Sequence, residues 1–583
     1  MAAPRNENLR DGAATPYCGR INRKLRRVFG GRVSASEARG CLVLSGRLER
    51  WDDVVRAGLL AVSKRRYHGL VNDIVCTGEH CPPMRVPQGT DSTLDGHAPD
   101  VLIIGGGVIG CAIARELSRY ELRTLLVEKE HDVALHSSSR NDGMVHPGID
   151  LKPGEIKRRY NLRGNRMYDK LCEDLDLPFR RCGQYLCFNK PWLLPAVIFT
   201  PLVFRALGLR CRFVSRRKLF LAEPQTSRKL VGALFFPDAG VVSPYQLTIA
   251  LAESAIDNGA AFSLDTAVLD MEVADSRIAS VHTNRGVIKP HVVINAAGVF
   301  SEDIAKMAGD HFFSIHPRRG TNAILDKKAS RMLNSIVSSF GTVAKKTQHS
   351  KGGGLIRTVE GNLLCGPDAV ETIEKENYAT RPESIARNFE RQRLASPLLM
   401  ERDIITYFTG VRAAAYEEDF VITKGVFTDN IVHAAGIQSP GLTAAPAIAE
   451  DVAHMAVELL NKTGRSVAAN PAFSPRRNGI VSARELSDDA RNTLIRANPD
   501  YGEIVCRCEE ISRGEILAAL RRSLPCDTID GVKRRVRPGM GRCQGAFCGP
   551  QVLRIIAEER RLPLDAVQKS GQGSELLLAE VKA

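Results

Sequence analysis

Hydrophobic positions along the chain change spacing repeatedly, and each change marks an element. Near the N-terminus CLVLSGRL alternates like a strand entering a turn, WDDVVRAGLLAVSKR has helical spacing, and GLVNDIVCTG reads as a second strand. Residues 1–17 ahead of them are polar, which predicts a mobile N-terminus. Residues 79–98, rich in Pro, Gly, Ser and Asp, predict a linker. The run VLIIG at 101–105 is continuously apolar, as suits a parallel strand covered on both faces. A helix is expected over Ala112–Leu117 and a second apolar strand over Thr124–Val127, the opening of an α/β, Rossmann-like sheet. The most apolar stretch, Pro191–Leu209, is broken by Pro195 and Pro201 and carries Arg205, too interrupted to span a membrane. It reads as a buried or partly exposed segment of a soluble domain. The alternative is a contact with a membrane surface beside Arg210, Arg212, Arg216, Arg217 and Lys218.

Length and composition narrow the classes. At about 150 residues per domain, 583 residues imply three or four domains. With 44% hydrophobic and 25% charged residues the chain is ordinary globular protein, not disordered or fibrous. Lys and Arg number 81 against 66 acids, a net +15 that favours acidic partners. Nucleic acid is set aside, because no reader motif or interleaved aromatics accompany the charge. Fifteen cysteines, an odd number spread along the chain, argue against an extracellular disulfide framework. Residues 1–30 have no apolar run of the length a secretory signal needs, so the expected location is the cytoplasm.

Two motifs carry chemistry. Gly105, Gly107 and Gly110 form G-x-G-x-x-G between the first strand and its helix. They serve a tight turn, close backbone approach to a diphosphate, and helix–strand packing. Glu128 closes the second strand, where a carboxylate accepts from a ribose diol. Near the C-terminus Cys506 and Cys508 are spaced C-x-C, and Cys543 and Cys548 are spaced C-x4-C. Two thiolate pairs suit a 2Fe–2S cluster, one pair per iron, with structural zinc as the alternative. Cys526 falls outside the pattern.

The segment HSSSRNDGMVHPGID (136–150) resembles the stretch leading toward the flavin in the FAD-dependent D-amino-acid-oxidase superfamily. GVVSPYQLTIALAESAIDNGA (240–260), VVINAAGVFSEDIA (292–305) and NIVHAAGIQSPGLTAAPAIAEDV (430–452) resemble further elements of it. The resemblance implies bound FAD, with Ser138, Ser139, Gly298, Gly436, Gly441 and Leu442 joining the Gly motif and Glu128. It also implies an FAD-binding domain interleaved with an α+β substrate domain across 99–465. The FAD-binding segments would lie at about 99–180, 240–310 and 400–465, the substrate segments at about 181–239 and 311–399. Within the superfamily, Ser138-Ser139-Arg140-Asn141 before a His-containing strand is similar to FAD-dependent glycerol-3-phosphate dehydrogenases and to L-2-hydroxyglutarate oxidases. Those groups commonly show His-Gly-Gly or His-Ala-Gly where His146-Pro147-Gly148 stands here.

After an Arg-rich linker at 466–500, residues 501–570 resemble the bacterioferritin-associated-ferredoxin-like (BFD-like) 2Fe–2S domain. That small helical domain is fused in this way to the large subunit of anaerobic glycerol-3-phosphate dehydrogenases. Residues 18–78 resemble a BON domain, a small α/β binding module, through Gly69, Val71, Asn72 and Asp73.

Oxidising an alcohol requires a base for the hydroxyl proton, and His146 is the first candidate, with a packed histidine as the alternative. An anionic hydroxy substrate calls for guanidinium, for which Arg412 is the main candidate and Arg319 a second, with Arg318 beside it pointing elsewhere. Lys351 reads as part of a solvated loop. A one-electron cluster beside a two-electron flavin implies a dehydrogenase feeding an electron-acceptor subunit and ultimately a quinone pool. Arg534, Arg535, Arg537 and Arg542 would form a basic face for that acceptor. The rivals are a 2-hydroxy-acid substrate, or an electron-transfer module without a substrate of its own.

Overall fold

In a computed structural model, residues 15–63, 66–339 and 353–579 are described. Lys351 and most of the expected mobile N-terminus lie outside them.

The described residues open with a helix that alternation alone did not reveal. Helix α1 (Pro16–Phe29) buries Cys18, Ile21, Leu25 and Phe29 along one stripe. The Thr15 hydroxyl accepts from the Cys18 amide at 3.3 Å, and Gly30, at φ +62°, ends the helix. The module therefore starts ahead of residue 18. Strand β1 (Val33–Ala38) pairs antiparallel with β2 (Cys41–Leu48), and β2 pairs parallel with β3 (Leu70–Cys76) across helix α2 (Trp51–Ala61). Residues 79–98 hold no helix or strand but are pinned to the core: Leu94 donates to Arg285 at 2.8 Å, and the Asp95 carboxylate accepts from Val287 at 2.7 Å.

The central sheet has six strands in the order Ala261–Ser263, β5 (Thr124–Val127), β4 (Val101–Ile104), Val292–Asn295, Ile431–Ala435, Val421–Lys424. All but the last are parallel. Helix α3 (Val108–Leu117) and the helices Pro244–Asp257 and Gly441–Lys462 cover one face, and the hairpin strands between Val268 and Ile288 cover the other. This burial on both faces explains the uninterrupted apolar runs. A second, nine-stranded sheet stands over the carboxyl ends of this one. One of its strands, Ile404–Ala415, pairs antiparallel with Ile315–Leu325 over its whole length. That strand belongs to the substrate sheet, whereas the sequence segments grouped residues 400–415 with the FAD-binding part; strand partnership is non-local, so the segment pattern could not show it.

The C-terminal module packs Arg513–Leu520, Ile529–Val536 and Gly549–Arg560 around a core that includes Val505, Ile516, Val532, Val552 and Ile556. Inside the stretch expected as a linker, Asp488–Ala497 forms a helix capped by Ser487. Within the apolar run of 191–209 lies a helix, Leu194–Ala206, partly exposed, with Val197 and Phe204 half-buried against the core and no residue fully buried. Among the described residues no helix is long and apolar enough to cross a membrane.

Candidate active site and cluster site

The Gly loop is built to the tolerance its chemistry needs. Gly105 has φ +112°, and a Cβ there would lie 2.6 Å from the Ala296 carbonyl. A Cβ on Gly110 would lie 2.0 Å from the Gly105 carbonyl, so α3 approaches β4 as closely as the backbone allows. The Glu128 carboxylate ends β5 and accepts from the Gly106 amide at 2.5 Å and the Glu130 amide at 3.0 Å. Burial pushes its pKa up despite those amides. The Ser138 hydroxyl accepts from the Val108 amide at 2.8 Å, capping the first turn of α3 where a diphosphate would be received. Ser139 donates to the His136 carbonyl at 3.3 Å.

A cavity of about 170 Å³ opens between the N-termini of α3 and Gly441–Lys462. Gly107, Ser138, Gly298, Gly441 and Leu442 line it. Gly298 (φ +57°) and Gly436 (φ +63°) turn the chain at the ends of their strands. The helix Ile156–Asp174 lies against the start of Gly441–Lys462 because Gly164 leaves room: a Cβ there would be 2.2 Å from the Thr443 carbonyl. From that helix Asn161 and Asn165 donate to the His146 carbonyl at 3.2 and 2.9 Å, and Thr443 accepts from the His146 amide at 2.9 Å. The His146 backbone is thereby fixed, and its Nε2 lies 3.5 Å from the Ser439 hydroxyl.

A second cavity, of about 210 Å³, adjoins the first. His146, Arg412, Asp142, Gln438 and Ser439 line both, so these residues form the wall between the two cavities. The far side is apolar, with Leu186, Ile336 and Ile356. Arg412 lies flat across Gly320, where a Cβ would come within 2.1 Å of its Nη2. Its one hydrogen bond to the described residues goes to the Asp368 carbonyl at 3.1 Å, and none of their carboxylates is in ion-pair reach. Burial and the nearby Arg318 charge push its pKa down.

Neither arginine of the adjacent pair lines a cavity. Arg319 does not reach either cavity: its guanidinium donates to Asn377 at 3.2 Å and the Ala379 carbonyl at 3.4 Å. Arg318 turns inward instead, pairing Glu371 at 2.7 Å and Glu418 at 2.6 Å and donating to Gln438 at 3.1 Å. One residue of register decides which of two adjacent side chains faces a site, and the sequence carries no register. Asp142, Gln184, Gln438 and Lys157, all cavity-lining, were not singled out by the sequence; Asp142, inside HSSSRNDGMVHPGID, and Gln438, inside the AAGIQSPG turn, stood in motifs that pointed here.

In the C-terminal module the four cysteines converge. Cys506 and Cys508 sulfurs are 3.9 Å apart, and Cys508 and Cys543 are 4.0 Å apart. Cys506 and Cys548 are buried and interact directly. A Cβ on Gly541 would lie 2.4 Å from the Cys508 sulfur, so glycine is needed to let the loop close over it. The amides of Phe547 and Gly545 hold the Cys543 thiol below its ordinary value, and the Cys506 thiol does the same for Cys548. The Cys548 sulfur pushes the Cys506 thiol up and burial pushes the Cys508 thiol up. It is the convergence of four sulfurs, with amides facing Cys543, that fits a 2Fe–2S cluster. The expected basic face is largely absent from the surface. Arg534 and Arg535 pair with Asp132 at 2.8 and 2.9 Å, and Arg537 pairs with Glu509 at 3.2 Å and Glu360 at 3.3 Å. The pairs with Asp132 and Glu360 dock the module, and the pair with Glu509 lies within it; Arg542 alone of the four stays exposed.

Comparison with known proteins agrees with this layout. Residues 100–455 match the family described as FAD dependent oxidoreductase, and residues 504–558 match the BFD-like [2Fe-2S] binding domain. The chain is 37% identical over 485 residues to a glycerol 3-phosphate dehydrogenase of Caloramator mitchellensis, covering 83% of this chain and 99% of that protein. It is 28% identical over 427 residues to the mitochondrial L-2-hydroxyglutarate dehydrogenase of Arabidopsis thaliana, covering 63% and 85%. Among solved structures, dithionite-reduced L-alpha-glycerophosphate oxidase from Mycoplasma pneumoniae with FAD bound aligns with TM-score 0.60 at 27% identity, covering 66% of this chain and 99% of that one.

Proposed function

Because the chain belongs to the FAD-dependent oxidoreductase family, we propose that it oxidises sn-glycerol 3-phosphate to dihydroxyacetone phosphate and sends the electrons through a 2Fe–2S cluster to an acceptor protein. The observation that supports this reading is Arg412, a half-buried guanidinium that lines both cavities with His146 and forms no ion pair with a described carboxylate, the charges of Asp142, Asp368 and Glu371 acting on it from beyond ion-pair distance. Such a cation is costly until an anion arrives, and a phosphate or carboxylate on the substrate is the anion that fits. Bound FAD supplies the hydride acceptor, and the bound cluster carries electrons onward singly.

The chain's own residues do the rest. Arg412 clamps the anionic end, fixing the distance from the hydroxyl-bearing carbon to the wall shared by the two cavities. His146, its backbone held by Asn161, Asn165 and Thr443, accepts the hydroxyl proton. Leu186, Ile336 and Ile356 keep water from the reacting carbon. We assign the N-terminal unit as a BON-like binding module, supported by its helix–strand–strand–helix–strand order. We place the reaction in the cytoplasm, with electrons leaving toward a quinone pool at the inner face of the cell membrane.

The test is anaerobic mixing with each candidate substrate. Glycerol 3-phosphate is expected to bleach the yellow flavin absorption, and Arg412→Ala to lower kcat/KM by about 10² or more, mostly through KM. Bleaching by L-2-hydroxyglutarate alone would overturn the substrate. Bleaching by neither, with cluster reduction by a partner intact after replacement of both His146 and Arg412, would favour the electron-transfer module.

A further inference from the structure

The helix Leu194–Ala206 is an unusual surface element. One side, through Val197 and Phe204, packs on Leu186, Leu234 and Phe236, with the Phe204 and Phe236 rings edge-on at 5.1 Å. The other side faces out with nothing apolar over it: Trp192 is 71% exposed, Phe199 66%, Leu202 62% and Val203 60%. Leu221, a little further along, is 75% exposed. Isolated exposed leucines are ordinary, but several large side chains contiguous on one element mark an interaction surface.

The charge around this patch selects the partner. From Asn189 to Ala222 there is no acidic residue, while Lys190, Arg205, Arg210, Arg212, Arg216, Arg217 and Lys218 all fall within the stretch. Among the described residues, only Arg210 of these is ion-paired, to Asp238. The remaining cations lack an ion-pair partner among the described residues, although Arg212 stacks on Phe235 at 4.6 Å and Arg216 stacks on Phe220 at 5.6 Å and donates to the Arg228 carbonyl at 3.1 Å. Trp192 stands at the start of the patch with the Lys190 ammonium 5.5 Å from its ring, an aromatic–cation pair suited to a headgroup boundary. With Pro195 and Pro201 breaking the run and Arg205 in it, the segment is unsuited to crossing a bilayer and suited to lying in its surface.

We propose that this face, Pro191–Leu207 with the basic stretch Arg212–Lys218, docks the protein on an anionic phospholipid leaflet. Trp192, Phe199, Leu202 and Val203 enter the acyl boundary, and Arg205, Arg212, Arg216, Arg217 and Lys218 lie at the headgroups. The inward side of the same helix touches Ile149 and Leu186, which line the substrate cavity, so the docked face lies next to the active site. The inference deepens the reading that electrons leave at the inner face of the membrane, and names the surface that holds the protein there.

The test uses full-length holoenzyme and flotation with vesicles of phosphatidylcholine alone or phosphatidylcholine doped with phosphatidylglycerol. Co-flotation with the anionic vesicles, a blue shift of Trp192 emission read in a Trp51→Phe background, and reversal by salt are expected. Phe199→Ser with Leu202→Ser should abolish flotation while turnover in solution with a soluble dye is kept, which shows the variant is folded. Each of Arg216→Ser and Arg217→Ser should weaken partitioning by about fivefold. Failure to float with either vesicle would overturn the proposal. So would flotation untouched by these substitutions, or a wild-type dimer that the Phe199 and Leu202 changes dissociate without any lipid binding. Flotation needs no substrate, so its outcome is independent of the substrate assignment.

Discussion

The small modules at the two ends of the chain are both fastened to the flavin core, and by opposite means. The C-terminal module is held by buried charge: Arg534 and Arg535 grip Asp132, Arg537 reaches Glu360, Glu509 of the module takes Lys327 of the core at 3.0 Å, and Arg522 pairs with Glu253 at 2.7 Å. The N-terminal module is held by an apolar plug. Tyr416, the residue after the Arg412 strand, sits inside the core of α1, β2, α2 and β3. Gly58 makes room for its ring, where a Cβ would stand 2.3 Å away, and Asn72 donates to its hydroxyl at 2.7 Å. Around the plug, Glu417 accepts from the Leu70 amide at 2.9 Å and Ser314 from the Asn72 amide at 3.0 Å. Charge gives the cluster module one orientation on the loop just beyond Glu128, which electron transfer needs. Apolar insertion gives the other module adhesion with little dependence on pH or salt.

Perturbing each anchor separates the two. Asp132→Asn leaves two buried guanidinium groups uncompensated, and a loss of about 3–5 kcal/mol is expected. Urea unfolding should show the cluster module detaching in its own transition, with direct dye reduction by the flavin retained. Tyr416→Ala opens a void the N-terminal module cannot fill, for about 3 kcal/mol or somewhat more. Here calorimetry should find the N-terminal module melting early while the cluster module keeps its transition.

Acid should act on one anchor and not the other. Burial opposes ionisation of Asp132, but Arg535 and Arg534 outweigh it and hold its carboxyl at about 2, against an ordinary 3.8. Its folded value lies below the unfolded one, so its contribution is complete above about pH 4 and is lost as pH falls through 2. The amount is about 2 kcal/mol. Limited proteolysis across that window should release the C-terminal module before the N-terminal one. The smallest change is Tyr416→Phe, which keeps the plug and loses the Asn72 bond, about 1 kcal/mol in a thermal melt.

What the sequence disclosed follows the same division between local and non-local physics. The Gly motif and the paired cysteines were legible because each needs particular residue types at short spacing, with Gly110 and Gly541 tolerating no Cβ. Helix α1 was hidden because its buried stripe is embedded among five basic residues, although Thr15, Pro16 and Gly30 marked its ends. The Arg318 and Arg319 orientations, the partner of Ile404–Ala415 and the plug at Tyr416 depend on register and on contacts distant in sequence. No local pattern encodes those. Arginines that read as a partner-facing patch were spent on an internal contact, an ambiguity charge counts cannot resolve.

The meeting of Arg412 and Gly320 also has a consequence for how this pocket can change. Because the guanidinium rests on a bare α-carbon, position 320 acts as a ratchet for ligand length: any added methyl must thrust the cation into the cavity and favour shorter anions. Drift toward bulkier substrates would therefore have to begin at the arginine, and redesign of selectivity could begin at the glycine, without touching a residue that meets the reacting carbon.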